Sequence, residues 1–213
     1  MKDLYPVYLQ LDQKKVLVVG GGSIATQKIH ALLNTGCIIT VVSPAITKEI
    51  ASWNQQKLVH LIQREFRDMD VHNMSLVFSA TNDRSINEKV KAIANQKSIM
   101  VNAIDDPPNC DFYVPSIVRR GSLMIAISTQ GQCPGFAKLL RKKLEEVIPP
   151  KYGEFVCFLG RLRKNMKASC KDSKQRQSVM KQVLYDGIID DLENKTLKEV
   201  QDKVENCIFT HLR

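Results

Sequence analysis

Gly20, Gly22 and Ala25, reached directly from the apolar run Val16–Val19, are the residues whose types and spacing point most plainly to chemistry. Gly20 permits a tight turn and Gly22 lets backbone N–H groups approach a pyrophosphate. The small Ala25 lets the next helix pack close to the strand, with its positive N-terminal end toward the phosphates. Ser23 and Ile24, where that helix starts, belong to the same cofactor-binding set. An ordinary strand-turn-helix produces the same spacing, so the weight rests on context. Here an apolar strand precedes the glycines and an amphipathic segment, residues 24–34, follows them.

The elements that must position this loop follow from periodicity. Strands are expected at Val16–Val19, Ile38–Val42, Val59–Gln63, Leu76–Ala80 and Ile99–Ala103, with helices near 24–34, 46–54 and 84–96. Strand-helix alternation predicts a Rossmann-type α/β fold, a doubly wound parallel sheet whose ligands sit beyond the carboxyl ends of the strands. Gly20, Ser43, Thr81 and Asn102 then share one edge. Ser43 stands where many NAD-binding folds keep an acid for the ribose 2′-hydroxyl; it can hydrogen-bond a hydroxyl but would not repel a 2′-phosphate. Thr81 and Asn102 either hydrogen-bond the cofactor or simply form strand-end turns.

After Asp111 the pattern changes. Residues 112–119 and 123–128 flank Arg120, Gly121 and Ser122 as a β-hairpin, with Pro115 marking an edge or bulged strand. A helix with proline in its first turn starts at Pro134 and carries Phe136, Leu139, Leu140, Leu144 and Val147 as one apolar stripe, ending at Pro149 and Pro150. That stripe exceeds what a small flap buries by itself, which predicts a homodimer. From Lys151 on the sequence is helical and polar. The expected organisation is 1–111 as a cofactor-binding domain, 112–150 as a dimerisation and substrate segment, and 151–213 as a small helical domain.

The 213 residues, 44% hydrophobic and 25% charged, suit a globular chain with a substantial core and do not suit disorder. The formal charge of +9 is compatible with nucleic acid, an anionic membrane or a polyanionic small molecule as partner. Six cysteines, at 37, 110, 133, 157, 170 and 207, show no C-x-x-C pair, so neither a zinc site nor a disulfide framework is signalled. His30, His60, His72 and His211 are scattered, and no metal site is expected. No signal peptide or bilayer-spanning run is read, so the expected location is the cytoplasm, with no membrane partner.

The order of several segments resembles the siroheme synthase dehydrogenase family, the precorrin-2 dehydrogenases, some of which are also sirohydrochlorin ferrochelatases. The matching residues are Tyr5–Leu11, Val18–Ala25 with Lys28, Ala80–Asp83, Val101–Asp105, Tyr113–Ile117, Ala126–Gly131 and Pro134–Leu144. They span the first 150 residues; the tail matches only in length and helical character. The resemblance implies dehydrogenation of precorrin-2 to sirohydrochlorin with NAD as hydride acceptor, and in bifunctional members insertion of ferrous iron. The family also implies NAD over NADP, which the residue at position 43 does not decide.

On that basis Asp105, just beyond the fifth strand, is the leading catalytic candidate, as general base or as proton acceptor during chelation. Its plainer reading is turn initiation ahead of Pro107 and Pro108. Ser128, and the run from Thr129 into the helix at Pro134, either meet a substrate carboxylate or cap the helix. Cys133 departs from the serine common in relatives at that position and puts the cap hydroxyl in doubt. A tetrapyrrole carries acetate and propionate groups, so Arg119, Arg120, Lys138, Arg141 and Lys142 are candidates to bind them. The basic run Arg161, Arg163, Lys164, Lys167, Lys171, Lys174 and Arg176 reads as an exposed helical face. A competing function, a redox-sensing regulator binding nucleic acid through that tail, lacks both a helix-turn-helix and interleaved aromatics.

Overall fold

A computed structural model describes residues 3–104, 110–185 and 187–211. The chain forms two compact units divided between Val114 and Pro115. The first contains β1 Lys15–Val19, α1 Ser23–Leu32, β2 Ile38–Val42, α2 Lys48–Gln55 and β3 His60–Ile62. After a 3-10 turn at Asp68–Val71 come β4 Leu76–Ser79, α3 Arg84–Gln96 and β5 Met100–Ala103. The five strands are parallel in the order β3-β2-β1-β4-β5, as the alternation of apolar segments predicts.

Strand β1 is the centre of this sheet, and its buried residues divide between the two faces. Val16 and Val18 pack with Ala25 and Ile29 of α1 and Ile50 of α2, while Leu17 and Val19 pack with Val90 and Ala94 of α3. Successive side chains of a strand point to opposite faces, so a continuous run of branched apolar residues is what a strand covered on both faces requires. All strands share one direction, so Gly20, Ser43 and Ala80 follow them at one edge of the sheet.

The second unit contains β6 Ser116–Arg120 and β7 Leu123–Ile127, an antiparallel pair joined by Gly121 and Ser122, with Gly121 at φ +55°. A two-residue loop opened by glycine suits the twist of a hairpin. Pro115, which cannot donate to a ladder, lies just outside β6. Helix α4, Pro134–Val147, carries proline in its first turn and is followed by α5 Lys151–Ser169, α6 Ser173–Tyr185, α7 Ile188–Asn194 and α8 Leu197–His211. The tail is less polar in its packing than its composition implies. Phe155, Phe158, Val183, Ile188, Leu192, Val200 and Val204 form a buried cluster of their own.

Helix α5 docks on the hairpin through Gly153, where an added Cβ would overlap the backbone carbonyl of Arg120. Gly160 in the same helix has open space around it. Replacing a helical glycine by alanine ordinarily stabilises by about 0.5–1 kcal/mol. Gly160→Ala is therefore expected to raise the thermal midpoint, whereas Gly153→Ala is expected to lower it by displacing backbone. Calorimetric melting of the two variants checks this, and a gain at Gly153 would remove the close approach.

Candidate functional site

At the carboxyl edge of the first sheet the glycine loop, the loops after β2 and β3 and the loop after β4 enclose a cleft of about 530 Å³. Gly20, with φ +115°, has no room for a side chain because a Cβ would overlap the Ala80 carbonyl. Gly21 is equally constrained, by the Ala45 carbonyl and by Ser43 Oγ 2.8 Å from its Cβ position. Gly22 differs from both: nothing lies within 4 Å of where its Cβ would stand. No side chain caps α1 at Gly22 and its first turn holds no acid, whereas Thr47 caps α2 and Asp83 caps α3. A helix cannot satisfy its own first N–H groups, so α1 alone among these three presents them, with its dipole, to an anion.

The loop is held from outside by residues that the sequence reading missed. Thr47 N–H donates to the Gly21 carbonyl at 3.0 Å, Thr26 Oγ1 donates to the Gly22 carbonyl at 3.0 Å, and the Thr26 and Thr47 hydroxyls meet at 2.8 Å. Gly20 N–H donates to the Val42 carbonyl at 2.9 Å. The third glycine of the run and a threonine immediately before Lys48 and Glu49 were the available signals.

Of the expected cofactor residues, Gly20, Gly22, Ser43 and Thr81 line the cleft, and Ser23 and Ile24 form the first turn of α1 beside it. Ser43 is only 6% exposed and its hydroxyl donates to the Ala45 carbonyl at 2.6 Å, leaving it an acceptor toward a ligand. The Thr81 hydroxyl lies 2.8 Å from Asn87 Oδ1 and 2.9 Å from the Asp83 carbonyl, and Asn87 Nδ2 donates back to the Thr81 carbonyl. Thr81 is thus a turn former held by α3, and buried Asn87 sets the turn. Asp83 accepts from the Ser85 hydroxyl, the Ile86 N–H and the Ser85 N–H, which hold its carboxyl below the usual range against a small opposing desolvation.

Asn102 does not line the cleft. It is 7% exposed, and its amide donates to the Phe112 carbonyl at 2.9 Å and to Cys110 Sγ at 3.6 Å. Cys110 Sγ donates to the Ala103 carbonyl, and Asp111 accepts from Val101 N–H while pairing with Lys91 at 2.6 Å. These contacts pin the chain on both sides of residues 105–109. Asp105 itself lies outside the described residues. Nearby, the Lys28 ammonium sits 5.8 Å over the Phe78 ring; desolvation lowers its pKa, partly offset by Cys110.

In the second unit, Ser128 Oγ accepts from Gln130 N–H at 3.1 Å, a turn contact. Cys133 precedes α4 without a side-chain cap, while its own N–H donates to Thr129 Oγ1 at 3.2 Å. Arg120 donates to the carbonyls of Ile148 at 2.7 Å and Glu145 at 2.9 Å, closing the carboxyl end of α4, and Arg141 pairs with Glu145 at 2.5 Å. Arg119, Lys138 and Lys142 are exposed. Among the basic run, Arg176 departs from the expected exposed face, since it donates to the Cys170 carbonyl at 2.5 Å and closes α5. Among the described residues no group of three His, Cys, Asp or Glu is arranged to hold a metal ion, and no helix is long and apolar enough to cross a membrane.

Comparison with known proteins agrees with this geometry. The family model described as putative NAD(P)-binding matches residues 7–116, and the one described as sirohaem biosynthesis protein central matches residues 120–146. The chain is 38% identical over 184 residues to siroheme synthase of Vesicomyosocius okutanii subsp. Calyptogena okutanii (strain HA), covering 86% of this chain and 39% of that protein. It is 34% identical over 203 residues to siroheme synthase of Pseudoalteromonas translucida (strain TAC 125), covering 95% of this chain and 43% of that protein. The chain thus spans about two fifths of the length of the curated relatives it matches. A solved structure titled SirC, precorrin-2 dehydrogenase, matches with TM-score 0.79 and 27% identity over 95% of this chain and 100% of that one. The competing regulator gains no support from these relatives. An uncapped glycine-opened helix at the centre of a parallel sheet, matched across more than half the chain by an NAD(P)-binding family and followed in order by the sirohaem central region, leaves one conclusion: the chain belongs to the siroheme synthase family.

Proposed function

We propose that this chain is an NAD-dependent precorrin-2 dehydrogenase of siroheme biosynthesis, forming sirohydrochlorin. The observation that carries the reading is the bare first turn of α1 at Gly22, a cradle that a side chain would fill. The name of the matching solved structure supplies the substrate, and NAD supplies a hydride acceptor when bound. Gly20 and Gly22 would hold the pyrophosphate with Ser23 and Ile24, while Ser43 and Thr81 would border the riboses. Asn102 acts on this reading through the chain it clamps, as a positioning residue for the Asp105 segment.

Removing two hydrogens from the tetrapyrrole releases one hydride and one proton. Asp105 is proposed to take the proton, a carboxylate being a competent general base for that step. On the second unit, Arg119, Lys138 and Lys142 are the exposed cations among the candidates for the acetate and propionate rim, with Ser128 as a hydrogen-bonding partner. Arg120 and Arg141 would support them by fixing α4. Regions 1–111, 112–150 and 151–213 would then serve as cofactor domain, substrate and dimerisation segment, and helical domain. Ferrous iron, for a member that inserts it, is a second substrate. A cytoplasmic location fits six cysteines without a disulfide framework.

A homodimer is supported by α4, where Phe136 and Leu139 are 55% and 63% exposed and Leu140 and Val147 are exposed beside them. Such a stripe along one helix is costly to leave in water. Leu140→Asp is expected to give monomers or insoluble protein, because a charge would enter an apolar interface. Light scattering on the unmodified chain is the first check, and a monomer at high micromolar concentration would defeat the dimer.

Gly22→Asp is expected to weaken NAD binding by at least about tenfold while the chain stays folded, since a carboxylate would take the place and the potential of the pyrophosphate. Titration calorimetry measures it; unchanged affinity would remove the phosphate-loop assignment. Asp105→Asn keeps shape but not basicity, so precorrin-2 turnover should fall about a hundredfold or more with NAD affinity retained. Full anaerobic turnover by that variant, followed by absorbance, would leave water as the proton acceptor. Loss of iron insertion alone would reassign Asp105 to that step.

A further inference from the structure

The cleft is more acidic than the chain around it. The chain has 31 Lys and Arg against 22 Asp and Glu, yet the ionisable side chains among the described residues lining the cleft are Glu65 and Asp83, with no lysine or arginine. The two carboxylates occupy opposite sides of the glycine loop. Asp83 follows β4 and is committed to capping α3. Glu65 is three residues beyond Ile62, which pairs in register with Val42 at the end of β2. It therefore stands on the β2 side, where a dinucleotide fold places the adenosine ribose and where an acid ordinarily accepts from the 2′-hydroxyl.

The usual position for that acid, after β2, holds Ser43, which is neutral and already donates to the Ala45 carbonyl. A cation next to Glu65 would reverse the preference, because arginine there accommodates a 2′-phosphate. Arg64 is not available for this. Its guanidinium grips Asp70 at 2.8 and 2.6 Å and donates to the Glu65 carbonyl at 2.8 Å. Asp70 also accepts from Arg67 N–H at 2.8 Å, so the same bonds that immobilise Arg64 fix the backbone on both sides of Glu65. Glu65 is exposed and lines the cleft, with its backbone held on both sides.

We infer that Glu65 is the residue by which this chain selects NAD over NADP: its carboxylate accepts from the ribose 2′-hydroxyl and repels a 2′-phosphate. The inference rests on the dinucleotide-site reading proposed above. A phosphate monoester carries about −1.5 to −2 charges at pH 7, so a carboxylate beside it is opposed by like charge. The preference is consequently set by the loop after β3 and not by the loop after β2.

The test is titration calorimetry on the full chain with NAD and with NADP, at low and high salt, for the unmodified protein, Glu65→Gln, Glu65→Arg and the exposed-acid control Glu49→Gln. The unmodified chain should bind NAD at least about tenfold more tightly than NADP, with the gap narrowing in high salt. Glu65→Gln should shrink the ratio several-fold, Glu65→Arg should bring NADP level with NAD or beyond, and Glu49→Gln should leave the ratio unchanged. Equal affinities in the unmodified chain, or an unaltered ratio in Glu65→Arg of unchanged thermal midpoint, would overturn the inference while leaving the dinucleotide site intact. Failure of the unmodified chain to bind either dinucleotide would overturn the site reading itself.

Discussion

The first unit depends on a backbone-to-backbone approach that no side chain can enter. Gly20 lies against the Ala80 carbonyl and Gly21 against the Ala45 carbonyl, so the loop leaving the central strand is wedged between the loops leaving both neighbouring strands. Those contacts make the cleft a property of the sheet, since the three loops cannot move apart without losing the bonds from Gly20 to Val42, from Thr47 to Gly21 and from Ala80 to Val19. With the loop so fixed, Gly22 can remain open, and an uncapped helix end can persist because its orphan N–H groups face solvent or a ligand and not a core. Rigid surroundings and one deliberately bare turn together make an anion site.

Charge is distributed against the chain's overall balance. The excess of lysine and arginine lies outside the cleft, much of it along exposed faces of the helical tail, whereas the cleft keeps two carboxylates. Asp70 shows how the acidic rim is supported from behind. Burial pushes its carboxyl up, but the Arg64 guanidinium and the Arg67 N–H hold it below the usual range, so the pair stays ionised and the loop stays pinned. A low-dielectric, paired carboxylate is thus what positions an exposed one.

The second unit uses the same device with different chemistry. Gly153 lets α5 reach the Arg120 backbone, and the Arg120 guanidinium turns back to close the carbonyl end of α4. Hairpin, α4 and α5 are thereby locked around one residue that reads from sequence as a substrate cation. What α4 presents outward is the apolar stripe. Its exposure in a single chain is the physical reason to expect a second copy against it.

Sequence alone determined the parallel sheet, the three helices on it and the glycine loop, because those follow from alternating apolar periods and from glycine spacing, both local properties. The hairpin and the start of α4 were legible for the same reason, through a glycine turn and a first-turn proline. Tertiary structure decided which polar groups are spent on the fold. Asn102 on Phe112, Thr81 on Asn87, and Arg120 on the end of α4 all have partners six to twenty-eight residues away, which no local pattern encodes. It also decided that Glu65, unremarkable in sequence after a short edge strand, reaches the cleft, because register across β2 and β3 brings their carboxyl ends together. Periodicity specifies an element; only the packing of elements against one another specifies which of their polar side chains are left for a ligand.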